Sequence, residues 1–417
     1  MRNLLWIGDA CVSTGFARAT HYTLDVLRKT WNVSVLGINY DGDPHTYPYP
    51  VYPARGRGGD LFGLSRTKEM VELVRPDVIV VQNDPWNIPH YLKISGNVPV
   101  IGALAVDGKN CAGRGLNGLK LAIFWTKFAE QEAKLGGYSG STAVVPLGVD
   151  LDIYKPMPRL AARRALGLPA RFEKAFIFGN INRNQPRKRL DLCVSYFAEW
   201  IKTRNIDDAY LFFHTAPTGE KGYDVSQLAH YYGIAKYLIL AEPEIGHGVD
   251  EAKLCETYNC FDAMITTTQG EGFGLPTFEG MACGIPQIVP DWAALGELCK
   301  DAAYLVPCTS IACTPNKINV IGGIADRQQM IEAMDAVYQS AHGQLWERLR
   351  RAGLALVAQE QYRWPHIGQA FGEAVEAALV PEVVNRRIEV TKMEDAEKKF
   401  IDVVPMGDML AKDYTNG

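Results

Sequence analysis

Glu271 and Glu279 stand eight positions apart in the segment Thr266-Thr-Thr-Gln-Gly-Glu-Gly-Phe-Gly-Leu-Pro-Thr-Phe-Glu-Gly-Met-Ala-Cys-Gly-Ile-Pro286. Ionised carboxylates only accept hydrogen bonds, so one of the pair can hold the hydroxyls of a sugar while the other accepts from a ribose. Gly270, Gly272 and Gly274 let the backbone come close to a ligand. The apolar run Ala263–Ile265 predicts a strand, and a helix is predicted from about Pro276, where the missing proline N–H costs nothing. That helix start, formed by Gly274, Leu275, Pro276 and Thr277, is a candidate cradle for a diphosphate. The bland alternative is a glycine-rich corner with two solvated carboxylates.

A second segment, Phe178-Gly-Asn-Ile-Asn-Arg-Asn-Gln-Pro-Arg-Lys-Arg-Leu-Asp191, crowds four cations into one loop: Arg183, Arg187, Lys188 and Arg189. A leaving nucleoside diphosphate gains negative charge as a glycosidic bond breaks, and cations placed there stabilise the transition state. A solvated basic turn or a nucleic-acid patch is the competing reading. Thr14 and Gly15 lie in the loop Gly8–Arg18, which follows the first predicted strand as a ligand-facing loop should, although a plain tight turn reads the same way. Asp107 ends the predicted strand of Val98–Ala105, as an active-site group or a strand-end cap. His214, at a strand end, reads as a core histidine, with a place lining the cleft as the alternative.

Those loops need strands to carry them. Short apolar runs at Leu4–Ile7, Val33–Ile38, Val78–Val81, Val98–Ala105, around Phe124 and at Ala143–Val145 alternate with helical patterns. The pattern restarts with Ala175–Phe178, Tyr210–His214, Tyr237–Leu240, Ala263–Thr266 and Gln287–Val289. Strands separated by helices imply parallel α/β topology. Two doubly wound sheets in tandem imply a cleft at the carboxyl ends of their strands. The expected division is 1–155 on the acceptor side, 156–365 on the donor side, a crossover helix over 366–380 and a loosely attached extension at 381–417. Tyr40–Pro53 and Asp84-Pro-Trp86 are aromatic and proline-rich loops of the first lobe, suited to stacking on an acceptor.

The chain has 417 residues, 47% hydrophobic and 22% charged, with a formal net charge of -4 that supplies no global basic field. Its opening apolar run is too short for a signal peptide and no stretch is long enough for a membrane span, so a cytoplasmic protein without integral membrane association is expected. Nine cysteines lack a framework spacing, and Cys255/Cys260 and Cys308/Cys313 are spaced more widely than usual zinc pairs. Gly113-Arg-Gly-Leu-Asn-Gly118 matches a dinucleotide fingerprint in letters but follows no strand, and is expected to be a mobile acceptor-side loop. Asp41-Gly-Asp43 and Asp150-Leu-Asp152 are D-x-D triplets of the kind chance supplies.

The Glu271–Glu279 segment, with E-G-F-G-L-P and M-A-C-G-I-P intact and Val289-Pro-Asp291 and Glu297 following, resembles the retaining GT-B glycosyltransferases of the E-x7-E, family-4-like type. The resemblance implies two Rossmann-like domains facing a central cleft, with a C-terminal helix returning to the N-lobe. It implies a nucleoside-diphosphate sugar as donor, no tightly bound cofactor and no metal. It assigns Glu271 to the transferred sugar, Glu279 to the ribose, Arg183 and Lys188 to the departing diphosphate, and Gly15, beside Thr14, to the donor phosphates. Asp107 falls where relatives carry an active-site His or Asp, and Gly246-His-Gly-Val-Asp250 where they build part of a nucleobase pocket. Gly-Asn-Ile-Asn-Arg183 departs from the commoner Gly-Arg, in a form similar to archaeal and bacteriophage relatives. The implied acceptor is a hydroxyl on a glycan, a lipid-linked sugar or a modified DNA base. A metal-dependent GT-A-like transferase and a catalytically inactive nucleotide-sugar binding protein are the alternatives.

Overall fold

Every side chain of Leu4–Ile7 is buried, so this strand is covered on both faces, the environment of a central parallel strand. In the computed structural model it lies in β1 (Arg2–Asp9), followed by α1 (Gly15–Leu27), β2 (Trp31–Ile38), β3 (Val51–Pro53), α2 (Leu64–Val74), β4 (Val78–Asn83), α3 (Ile88–Ile94), β5 (Val100–Leu104), β6 (Leu121–Phe124), α4 (Lys127–Leu135) and β7 (Thr142–Val144). The second lobe runs α5 (Arg159–Ala165), β8 (Phe176–Ile181), α6 (Leu190–Arg204), β9 (Ala209–His214), α7 (Val225–Tyr231), β10 (Leu238–Ala241), α8 (Glu251–Asn259) and β11 (Ala263–Ile265). It continues α9 (Leu275–Ala282), β12 (Gln287–Asp291), α10 (Ala293–Leu298), β13 (Tyr304–Cys313), β14 (Ile321–Ala325), α11 (Arg327–Gln339), α12 (Gln344–Val357) and α13 (Trp364–Leu379). The structure describes residues 1–55, 60–215, 222–241, 249–315 and 318–380. Gly246–Gly248 of the expected nucleobase pocket and the extension at 381–417 lie outside them.

The first sheet has the order β3-β2-β1-β4-β5-β6-β7 and is parallel throughout. The second has the order β10-β9-β8-β11-β12-β13-β14, parallel except for the antiparallel pair β13/β14. In each sheet the strand order reverses direction once, between β1 and β4 and between β8 and β11. Ligands of doubly wound sheets bind in the crevice at such a reversal, outside the carboxyl ends of the strands. The basic loop leaves the end of β8 and the glycine-rich turn leaves the end of β11, so both chemical segments flank one crevice by topology alone.

Helix α13 leaves the second lobe and packs on the first. Phe371 stands 5.6 Å from Trp6, and Trp364 stacks on Tyr22 at 4.8 Å with the ring planes nearly parallel. Gly368 and Gly372 meet Val26 and Leu27 of α1, and a side chain at Gly368 would press on Val26; small residues there let the two helices approach. Gly113–Gly118 corrects the expectation of a mobile loop. Gly113 is buried against the Ala133 carbonyl of α4, where a Cβ would collide with backbone, so its glycines serve close packing. The end of the Tyr40–Pro53 loop is the edge strand β3, whose Pro53 sits where a sheet tolerates it. Among the described residues no helix is long and apolar enough to cross a membrane.

Candidate functional site

The basic loop and the glycine-rich turn are stitched into one unit. Thr267 Oγ1 donates to the Arg189 carbonyl at 2.7 Å, the Gln269 N–H donates to the Arg187 carbonyl at 2.8 Å, and Arg187 Nη1 donates to the Gly270 carbonyl at 2.9 Å. Arg189 takes a left-handed conformation, φ 50°, at the junction with α6, which reverses the chain so that Arg187 and Lys188 turn inward. Lys188 Nζ donates to Glu271 Oε1, and Arg187 Nη1 lies 3.5 Å from Glu271 Oε2. On its other side Arg187 Nε lies 3.3 Å from Asp107 Oδ2 of the first lobe. Lys188 and Glu271 are only 6% and 8% exposed, and a buried charge pair of this kind persists only when each ion has a partner. Burial and then the neighbouring Arg187 pull the Lys188 ammonium down to about 8, against the opposing pull of Glu271. Burial pushes the Glu271 carboxyl up, but Lys188 and Arg187 outweigh it and hold the group below its ordinary range.

Glu279 projects from α9, whose first turn follows Gly274 at φ 98°. It is 3% exposed. Arg18 Nη1 of α1 approaches its Oε1 at 2.6 Å, and the Tyr258 hydroxyl donates to its Oε2 at 2.6 Å. Burial raises the carboxyl above its usual range despite the Arg18 charge. Arg18 also donates to the Tyr154 hydroxyl at 2.7 Å and lies 3.5 Å from Glu251. Each Glu279 oxygen has one donor in these contacts and retains acceptor capacity for a hydroxyl. The Thr277 N–H donates to the Gly274 carbonyl at 3.0 Å and Pro276 has no N–H, so the cradle narrows to the N–H groups of Gly274 and Leu275 with the Thr277 hydroxyl.

Across the crevice, Thr14 caps α1 by accepting from the Ala17 N–H at 3.1 Å and donates its hydroxyl to Asp9 at 2.8 Å. A Cβ on Gly15 would come within 3.0 Å of Leu275, so the starts of α1 and α9 oppose one another. Asp9, Asp84 and Asp107 lie at or just beyond the carboxyl ends of β1, β4 and β5, three strands adjacent in the order β1-β4-β5. Burial, then Asp107, raises the Asp84 carboxyl to about 7 while Arg187 opposes the shift. Burial also raises Asp9, whose charge Thr14 and Arg183 favour.

Arg183 is exposed and acts electrostatically on Asp9, whereas Arg187 meets Glu271. The asparagines around Arg183 have structural partners. Asn180 donates to the Ile265 carbonyl at 3.0 Å, Asn182 donates to Asn180, and Asn184 exchanges hydrogen bonds with the Tyr223 backbone. His214 is partly buried at the end of β9, and burial lowers its pKa. Asp41 pairs with Arg55 at 3.1 Å, and Asp150 accepts from the Asp152 N–H at 2.9 Å within its own turn. Among the described residues no group of three or more His, Cys, Asp or Glu is arranged to hold a metal. The nine cysteines are free thiols, and Cys255 faces Cys283 at 3.9 Å rather than Cys260.

Three residues went unassigned in the sequence. Arg187 was one of four cations, and only the chain reversal at Arg189 tells which of them face inward. Arg18 was legible as the position three beyond Gly15, one helical turn along the face that starts at the crevice. Asp84 lay in a segment read for its aromatic and proline content, when its place after a buried strand was the signal.

No family model matches the chain. Over 248 residues it is 29% identical to a D-inositol 3-phosphate glycosyltransferase of Stackebrandtia nassauensis, covering 57% of this chain and 50% of that one. Over 162 residues it is 36% identical to the enzyme of the same name from Geodermatophilus obscurus, covering 38% and 34%. The alignments thus span half or less of these curated relatives. Among solved structures, sucrose-phosphate synthase from Thermosynechococcus elongatus superposes with a TM-score of 0.69 at 17% identity, over 90% of this chain and 99% of that one. Anabaena HepE in complex with UDP and glucose gives 0.69 at 14% identity, over 90% and 100%. These structural likenesses speak to the fold, and the relatives in sequence carry the glycosyltransferase name. With two doubly wound sheets and the returning α13 the chain has the GT-B fold, and with the intact Glu271–Glu279 segment it is similar to the group 1, family-4-like glycosyltransferases.

Proposed function

We propose that the protein is a retaining transferase that moves a sugar from a nucleoside-diphosphate sugar to a hydroxyl of an acceptor. The observation that carries this is the buried Lys188–Glu271 pair, extended through half-buried Arg187 to Asp107, set in the crevice where the starts of α1 and α9 face each other. Lys188, with Arg183 at the rim, neutralises the departing diphosphate together with the Gly274 and Leu275 N–H groups and the Thr277 hydroxyl. Glu271 orients the transferred sugar, and Glu279 accepts from the ribose. Gly15 leaves room for the donor phosphates beside α9. Retention follows from same-face substitution, in which the leaving phosphate takes the proton of the attacking hydroxyl. Closure of the lobes keeps water from hydrolysing the donor.

The acceptor binds against the first lobe. Asp9, Asp84 and Asp107 lie at that wall, where their oxygens can accept from acceptor hydroxyls. This suits a hydroxyl-bearing glycan or the glycan end of a lipid-linked sugar. The first donor to test is UDP-glucose, which the HepE structure contains, within a panel of UDP-, GDP- and ADP-sugars read by nucleotide release with and without acceptors. Glu271→Ala is expected to lose turnover; full turnover in that variant would overturn the assignment. Strongly salt-dependent acceptor binding would instead mark a nucleic acid.

A further inference from the structure

Within the basic loop, Arg187 meets carboxylates of both lobes. Nε faces Asp107 at 3.3 Å, while Nη1 donates to the Gly270 carbonyl at 2.9 Å and lies 3.5 Å from Glu271. Its own carbonyl accepts from the Gln269 N–H at 2.8 Å, so backbone and side chain hold the same turn. Burial lowers the Arg187 pKa, and Asp107 and Glu271 more than restore it, leaving the guanidinium always charged. We propose that Arg187 is a positioning residue that fixes Glu271 and Asp107 in register across the crevice and takes no part in holding the nucleotide. The proposal rests on the transferase reading above.

Charge and geometry separate this role from that of Lys188. Two cations, Arg187 and Lys188, face two carboxylates, Glu271 and Asp107, so the cluster is neutral as built. The Arg187 charge is already engaged on two sides, by groups that belong to the sugar-facing wall. A planar guanidinium offers several donors in a fixed fork and can bridge two partners at set angles; a single ammonium cannot reproduce that bridge. Losing the bridge leaves Glu271 held by Lys188 alone and frees Asp107 to turn away. A misplacement of about 1 Å at the reacting centre costs on the order of 100-fold in rate.

The test compares Arg187→Gln, Arg187→Lys and Asp107→Asn with the unaltered enzyme. Free UDP, which lacks the sugar, is titrated calorimetrically, and turnover of the active nucleoside-diphosphate sugar is measured alongside. The expected result is unchanged UDP affinity in all three, turnover lowered about 100-fold in Arg187→Gln, little rescue by Arg187→Lys, and no further loss when Arg187→Gln and Asp107→Asn are combined. UDP affinity falling as far as turnover, or losses that multiply in the double variant, would overturn the proposal. A readout free of donor is hydrogen exchange at the Gly270–Phe273 amides, expected to rise equally in Arg187→Gln and Asp107→Asn. If the unaltered enzyme releases nucleotide from no donor, the transferase reading fails, while the exchange measurement still decides whether the bridge holds the turn.

Discussion

Lys188 places a buried ammonium beside a second cation, and its opposing carboxylate does not fully compensate. Its pKa of about 8 has a direct consequence for the pH dependence of donor capture. In the proposed role the protonated form is the one that meets a diphosphate, so donor capture is complete well below pH 8 and is lost as pH rises through that value. We expect kcat/KM, which reports the free enzyme, to fall above about pH 8. The limb in kcat should lie higher, because a bound diphosphate favours the ammonium. Lys188→Arg should abolish the alkaline limb, since a guanidinium stays charged throughout this range. A kcat/KM profile flat to about pH 10 would remove Lys188 from the diphosphate site. At this scale Glu271, Glu279 and Lys188 stood out in the sequence because they sit in spaced motifs, and the structure buries all three. The sequence did not disclose Arg187 over its neighbours, because a single positive φ at Arg189 decides which side chains turn inward. Nor could it reveal that Arg18 of α1 and Tyr258 and Glu251 of α8 converge on Glu279.

At the scale of elements, two glycines of one turn do different work. A Cβ on Gly270 would collide with the Asp107 carbonyl of the first lobe, and backbone on that side cannot yield as a flexible side chain would. Gly274 has φ 98°, and a Cβ there would press on the flexible Leu295 side chain and stand 3.9 Å from the Glu271 Cβ, with no backbone in its way among the nearest atoms. Gly270→Ala should therefore hold the turn away from the first lobe, lowering turnover about 100-fold with little change in thermal unfolding. Gly274→Ala should instead destabilise by roughly 1–2 kcal/mol, the cost of a left-handed conformation, read as a lower denaturant midpoint. Finding the stability loss in Gly270→Ala and none in Gly274→Ala would refute this division. The elements themselves were legible where burial is two-sided: β1, β4 and β8 read as unbroken apolar runs because helices cover both their faces. The pair β13/β14 escaped notice for the opposite reason. It is an antiparallel edge, partly exposed, with Pro307, a register shift between Cys308 and Ser310 and Gly322-Gly323, so neither periodicity nor composition marks a strand.

For the molecule as a whole, sequence periodicity announced two sheets and therefore a crevice, but cross-lobe contacts have no periodicity to read. They are specific here. The Lys109 and Ile321 backbones exchange hydrogen bonds at 2.9 and 3.0 Å, and Asn110 donates to the Asn319 carbonyl at 2.8 Å. Glu297 of α10 accepts from the Lys127 and Phe128 N–H groups at 3.0 and 2.6 Å. A carboxylate from one lobe thus caps a helix of the other, where the α4 dipole and unpaired N–H groups favour an anion. Because Thr126 caps α4 independently, through the Ala129 N–H, removing Glu297 should loosen the lobes without unravelling the helix. A contact of this type is worth about 1 kcal/mol, roughly a fivefold change in the closed-to-open ratio. Glu297→Ala should therefore speed hydrogen exchange at the Lys127 and Phe128 amides and raise the donor KM by a similar factor. Saturating donor should restore most of the protection, because ligand that binds the closed arrangement draws the population back. Glu297→Gln, which keeps an acceptor oxygen but loses the charge, should fall between. If Glu297→Ala leaves exchange at those two amides unchanged, the cap contributes nothing to closure, and the other cross-lobe contacts, Arg187, Arg18 and the Lys109–Ile321 and Asn110–Asn319 pairings among them, hold the lobes without it.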